Sequence, residues 1–83
     1  MKKLIALGTR NNVKVLVVGN GGREHAIAWK LLHSPQVEQV FCVPGNGGTA
    51  ILENCQNVSL KIDDFASIAE CARSHQIELV AWL

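Results

Sequence analysis

Val13-Lys14-Val15-Leu16-Val17-Val18-Gly19-Asn20-Gly21-Gly22-Arg23-Glu24-His25 is an apolar run that breaks into glycines and restarts as a helix. Val13, Val15, Leu16, Val17 and Val18 are mostly β-branched and apolar on both alternating faces, as a strand buried on both sides of a parallel sheet requires. The carboxyl end of such a strand is where open α/β sheets hold ligands. Gly19, Gly21 and Gly22 let the backbone turn sharply and bring its N–H groups close to something outside. A helix starting at Arg23 aims further free N–H groups and its positive dipole end at the same point, the generic arrangement for a phosphate.

From Arg23 to about His33 apolar residues recur at three- and four-residue spacing (Ala26, Ile27, Leu31, flanked by Ala28 and Leu32), and Ser34-Pro35 stops the helix. Trp29 is expected at the margin of this stripe, and His33 at the helix end, where a cation is favoured. Gln39-Val40-Phe41-Cys42-Val43 forms a second strand, closed by Pro44-Gly45-Asn46-Gly47-Gly48-Thr49. Strand, helix and strand make a right-handed βαβ unit, which brings the second loop out beside the first.

Downstream, Thr49 to Cys55 suits a helical turn and Asn57 to Ile62 a short third strand. Asp63 or Asp64 caps a helix whose Phe65, Ile68, Ala69 and Ala72 form one apolar stripe up to Ser74-His75. Ile77 to Leu83 is a fourth strand, and an apolar strand at the very end of the chain suggests a domain cut short. Upstream, Met1 to Asn12 ends in a polar turn cluster and reads as a leader or disordered extension; an edge strand over Leu4 to Leu7 is the less favoured alternative. Residues 13–83 are then one incomplete domain.

Composition narrows the function classes. The chain has 83 residues, 48% hydrophobic and 18% charged, which suits a small globular α/β domain and not a disordered segment. A net charge of +1 gives no long-range field for nucleic acid or an anionic membrane. No apolar run approaches a bilayer span or a secretory signal, so a cytoplasmic location is expected. The three cysteines, Cys42, Cys55 and Cys71, are widely spaced without a C-x-x-C pair and read as buried thiols, with neither a disulfide nor a metal framework.

The first loop carries two glycines of the dinucleotide fingerprint G-x-G-x-x-G, but Glu24 stands where the third belongs, and Cys42-Val43-Pro44-Gly45 offers no acid for a ribose hydroxyl. NAD is therefore disfavoured. A lone glycine loop is as readily a tight turn. The second loop adds three glycines, an amide and a hydroxyl, and the two together suit a small polar ligand. Arg23 would supply a planar cationic donor and Glu24 an acceptor; alternatively they form an exposed ion pair and a first-turn charge. His25 is read as capping or packing before it is read as a base. No serine elbow, H-E-x-x-H or paired-carboxylate pattern occurs, so no catalytic residue is assigned. If φ at Gly22 is positive, Gly22→Ala should damage both binding and stability.

Gly19-Asn20-Gly21-Gly22-Arg23-Glu24-His25-Ala26 with Ala28-Trp29-Lys30-Leu31, followed by Val43-Pro44-Gly45-Asn46-Gly47-Gly48-Thr49-Ala50, resembles the amino-terminal domain of phosphoribosylamine–glycine ligases, or glycinamide ribonucleotide synthetases. The likeness runs from about Val13 to Val80. It implies a fold that is α/β, Rossmann-like (pre-ATP-grasp) and three-layered, with a mostly parallel four-stranded sheet truncated at its last strand. It also implies an ATP-grasp ligase of de novo purine biosynthesis that activates glycine as an acyl phosphate and joins it to the amine of 5-phosphoribosylamine, giving glycinamide ribonucleotide, ADP and phosphate. ATP and Mg²⁺ or Mn²⁺ are implied for the full-length family, gripped by a later domain.

By motif position, Gly21, Gly22, Arg23, Glu24, Asn46, Gly48 and Thr49 are the implied substrate-binding residues for a ribose phosphate. Family members begin near Val13 and run from the last strand into a Gly-Pro-Glu loop, whereas this sequence reads Val80-Ala81-Trp82-Leu83. The expectation is a fragment without its ATP-grasp and carboxy-terminal domains, inactive alone. A non-catalytic Rossmann-like nucleotide- or phosphate-binding module is the alternative.

Overall fold

The structure, a computed structural model, describes the backbone of residues 3–6 and all of residues 12–19 and 22–83. In chain order the elements are β1 (Lys3–Ala6), β2 (Val13–Val18), α1 (Arg23–Leu32), β3 (Val37–Val43), α2 (Gly47–Ala50), β4 (Cys55–Asn57), α3 (Phe65–Ser74) and β5 (Leu79–Trp82). The strands form one sheet in the order β1-β5-β2-β3-β4. β5, β2, β3 and β4 run parallel, and β1 pairs antiparallel with β5. The expected α/β architecture is present, with four parallel strands.

Alternation along β2 divides the core. Leu16 and Val18 point to one face, where Phe41, Val43, Ile68, Ile77 and Val80 join them; Val15 and Val17 point to the other, with Val40, Cys42, Ala28 and Ala81. All four β2 residues from Val15 to Val18 are 0% exposed, which is why the run lacks polar alternation. α1 covers the second face through Ala28, with Ile27, Leu31 and Leu32 packed against that cluster. α3 covers the first face through Ile68 and Cys71. Asp64 caps α3, its Oδ1 accepting from the Ser67 N–H at 3.2 Å.

Four sequence expectations change. Lys3–Ala6, expected within a leader or disordered extension, forms a fifth strand, in register Lys3↔Trp82 to Ala6↔Leu79, because the outer edge of β5 offers a row of backbone groups to pair. The third parallel strand is Cys55–Asn57, earlier than Asn57 to Ile62; Val58 closes it by donating to the Cys42 carbonyl at 2.8 Å. The helical turn before it is Gly47–Ala50, pulled forward by the capping residue Asn46. The α3 stripe also splits. Ile68 is 3% exposed, while Phe65 is 64% exposed and Ala69 lies open on the flank, because the helix seats through Ile68, Cys71 and Ala72.

Trp29 lies at the margin as expected, 49% exposed, with its ring centroid 4.1 Å from that of His33. The three cysteines are free thiols; Cys42 and Cys71 are buried. No helix among the described residues is long and apolar enough to cross a membrane.

Candidate ligand site at the carboxyl edge of the sheet

The strand order decides where the carboxyl ends converge. From β2 the chain moves outward to β3 and β4, then returns past β2 to β5, so the direction of winding reverses between β2 and β5. In open α/β sheets that reversal opens a crevice beyond the strand ends. Gly19 sits at this point. Its N–H donates to the Val43 carbonyl at 3.0 Å, and the Leu83 N–H donates to the Val18 carbonyl at 2.7 Å, which ties the ends of β3, β2 and β5 together. A Cβ on Gly19 would stand 2.8 Å from the Leu83 Cβ and 3.1 Å from Glu24 Oε1.

Glu24 is the unusual residue of the site. It lies in the first turn of α1, where the helix dipole favours a carboxylate, yet it is only 3% exposed. Its Oε2 is buried without a hydrogen-bond partner among the described residues. A buried carboxylate oxygen without a donor is costly, and sites that bind a ligand are where such costs are tolerated. Its charge also reaches Cys42, whose thiol is pushed up by burial first, then by the neighbouring Cys55 and by Glu24. Arg23 and Gly22, beside it, are exposed.

The second loop is built differently. Gly45 has φ +81 and follows a cis Val43–Pro44 bond. Asn46 and Thr49 form a reciprocal cap on α2: the Thr49 N–H donates to Asn46 Oδ1 at 2.9 Å, and the Asn46 N–H donates to Thr49 Oγ1 at 2.8 Å. Thr49 Oγ1 donates in turn to Asn57 Oδ1 at 2.6 Å, and Asn57 Nδ2 donates to the Asn46 carbonyl at 2.9 Å. Thr49 is 0% exposed. Its hydroxyl therefore shapes the loop from inside. Asn57, which the sequence reading left out of the site, locks that loop from the last residue of β4.

The two loops meet through His25 and Gly48: a Cβ on Gly48 would stand 2.8 Å from His25 Cδ2. Of the residues singled out from sequence, Glu24 is drawn to Gly19, and Asn46, Gly48 and Thr49 are gathered opposite through His25. Gly21 lies outside the described residues. Gly22 has φ −85 and ψ −3, so the left-handed conformation considered for it is absent. The part played by Leu83 at the β2–β5 reversal was not visible in sequence, because strand order is a tertiary property.

The family described as "Phosphoribosylglycinamide synthetase, N domain" matches residues 13–82. The chain belongs to that family. A phosphoribosylamine–glycine ligase from Nostoc sp. (strain PCC 7120) is 69% identical over 68 residues, covering 82% of this chain and 16% of the relative. The ligase of the same name from Allochromatium vinosum is 57% identical over 67 residues, covering 81% of this chain and 16% of its own length. The trifunctional purine biosynthetic protein adenosine-3 of Gallus gallus is 49% identical over 67 residues, 81% of this chain and 7% of the relative. The chain thus spans about a sixth of the ligases it matches, 16% of each. The match to the synthetase N domain begins at Val13, so β1 lies outside it. Both glycine loops lie within it.

Proposed function

We propose that this chain forms the phosphoribosylamine-binding part of a phosphoribosylamine–glycine ligase acting in purine biosynthesis. The observation that carries the reading is the buried carboxylate of Glu24, with Oε2 unpartnered among the described residues, at the reversal between β2 and β5. A ribosyl hydroxyl or amine is a donor that would satisfy it. The exposed Arg23 guanidinium and the first-turn N–H groups of α1 suit the phosphate. Gly48 seats its loop against His25, with Asn46 and Thr49 holding that loop in shape; Gly21 and Gly22 are the remaining motif positions.

The reaction of this reading joins the amine of 5-phosphoribosylamine to glycine at the expense of ATP. Among the described residues no group of three or more His, Cys, Asp or Glu side chains could hold a metal ion. The family's nucleotide and metal belong, on this reading, to the ligase beyond the N domain. The 83 residues then bind and orient a sugar phosphate in the cytoplasm without catalysing on their own.

Calorimetric titration of the chain with ribose 5-phosphate, NAD and ATP tests the reading. Ribose 5-phosphate is expected to bind in preference to both, and Arg23→Ala to weaken it by about 1.5–3 kcal/mol, the range for a charge-assisted bond. Preferred binding of NAD or ATP would favour the nucleotide-module alternative, and an unchanged affinity in Arg23→Ala would remove that residue from the site.

A further inference from the structure

Two thiols that the ligand reading does not use face each other across β3 and β4. The Sγ atoms of Cys42 and Cys55 are 3.7 Å apart, and both residues are free thiols. Cys42 belongs to the core cluster under α1 and is 0% exposed, while Cys55 packs against that cluster from the last strand of the sheet and is half-buried. The strands pair Val40↔Cys55 and Cys42↔Asn57, so the two cysteines hold diagonal positions on one face.

Their surroundings give the two sulfurs different roles. Burial pushes both thiols up, and the bond between them raises Cys42 while lowering Cys55, as it must when the Cys42 S–H donates to the Cys55 sulfur. Cys55 is therefore the more accessible sulfur and the one whose thiolate is favoured, the two properties of an attacking thiol. Cys42, in contact behind it, is placed to resolve what forms there.

We propose that Cys42 and Cys55 are a redox-sensitive pair, oxidised by a hydroperoxide to an intrachain disulfide that loosens the second glycine loop. With hydrogen peroxide the Cys55 thiolate attacks one oxygen. An S–O bond forms, the O–O bond breaks, and the departing hydroxide takes up the proton that the thiol released, leaving a sulfenic acid and water. The Cys42 sulfur then attacks the Cys55 sulfur; the S–S bond forms, the S–O bond breaks, and hydroxide leaves with the Cys42 proton as a second water. The two thiols lose two electrons and two protons, and the peroxide is reduced.

The link to the loop follows from which strand can move. A disulfide brings its sulfurs to about 2.0 Å, so the diagonal partners must draw together. β3 is held between β2 and β4, whereas β4 is a three-residue strand paired with β3 alone among the described strands. The shift falls on β4. Asn57 ends that strand and holds the second loop through Thr49 Oγ1 at 2.6 Å and the Asn46 carbonyl at 2.9 Å. Displacing Asn57 loosens the cap that Asn46 and Thr49 form, whichever ligand the loop holds.

The test treats the 83-residue chain with hydrogen peroxide and digests it at glutamate without reduction. Cleavage after Glu38, Glu53 and Glu70 puts Cys42 in residues 39–53, Cys55 in residues 54–70 and Cys71 beyond them. The expected product is a monomer in which the first two peptides are joined, and dithiothreitol should separate them. Dimedone should label Cys55 in Cys42→Ala, and should leave Cys42 unlabelled in Cys55→Ala. Hydrogen exchange of the Thr49 amide should quicken by about tenfold or more on oxidation of the parent chain and recover on reduction. Digest and exchange both use the parent chain, so neither depends on a variant folding. Links between chains only, a link through Cys71, sulfinic acid at Cys55 without the expected link, or no reaction under peroxide that consumes free cysteine would overturn the pair. A joined product with unchanged Thr49 exchange would overturn its effect on the loop.

Discussion

The imidazole of His25 rests on the Cα of Gly48, leaving no room for a methyl group, which would stand 2.8 Å from Cδ2 and 3.1 Å from Cγ. This contact joins the helix after the first glycine loop to the second loop. It also explains a glycine whose φ is not left-handed: the requirement is space.

Gly48→Ala is expected to destabilise the chain by about 1–3 kcal/mol through overpacking. His25→Ala should relieve most of that loss, so urea unfolding of the two single variants and the double variant should give a coupling energy of about 1 kcal/mol or more. Additive effects would show that the ring moves aside freely.

The glycines of the two loops should separate sharply. A Cβ on Gly22 meets nothing within 4 Å, and its backbone is right-handed, so Gly22→Ala should change stability by less than about 1 kcal/mol. Gly45 has φ +81, and a Cβ there would meet the Asn57 side chain, at 2.1 Å from Oδ1. Gly45→Ala should cost more than about 1 kcal/mol, read from thermal melts, and broaden the amide resonances of the second loop.

Thr49→Val keeps shape and removes the hydroxyl. The Asn46 N–H loses its acceptor and Asn57 Oδ1 its donor, at a cost of about 1–3 kcal/mol. Thr49→Ser should retain most of the stability. A Val variant as stable as the parent would show that the cap contributes nothing.

Glu24→Gln removes a charge from a site that is 3% exposed. Folding stability is expected to rise by about 1 kcal/mol, because the neutral amide costs less to bury. Ribose 5-phosphate affinity should fall by about tenfold or more, worth about 1.4 kcal/mol. A gain in one with a loss in the other is the signature of a group kept for binding.

The thiols should contribute to the alkaline limb of the stability curve. Burial raises the Cys42 thiol above its ordinary 9.0, with Cys55 beside it, and burial raises Cys55 and Cys71 as well. The folded chain then holds protons that the unfolded chain releases, so stability must decline as pH rises above about 9. Urea midpoints measured from pH 8 to pH 10.5 should fall, and Cys42→Ala should flatten the slope. A parent curve that is level across that range would contradict the assignment.

Much of the fold was legible because it rests on local rules. The β-branched run from Val13 to Val18 could only be a strand buried on both faces, and Ser34-Pro35 had to end the helix before it reached β3. The second loop was visible through its glycines. The stripe from Phe65 to Ala72 was misjudged because periodicity cannot show how much of a helix face finds a partner; Ile68 is buried, while Phe65 and Ala69 stay exposed. The strand at Lys3–Ala6 was only the less favoured alternative in sequence because an edge strand is held by its partner's backbone more than by its own pattern.

By itself the sequence determined the strand–glycine–helix opening, the βαβ unit and the two loops at one edge, since backbone freedom at glycine and hydrophobic period act within a few residues. Only the tertiary structure decided that β5 returns to pair with β2, placing Leu83 against Gly19 and burying Glu24 at the reversal. Only it decided that Thr49 faces inward to Asn57. Strand order and side-chain burial arise from contacts between residues far apart in the chain, and no local pattern carries them.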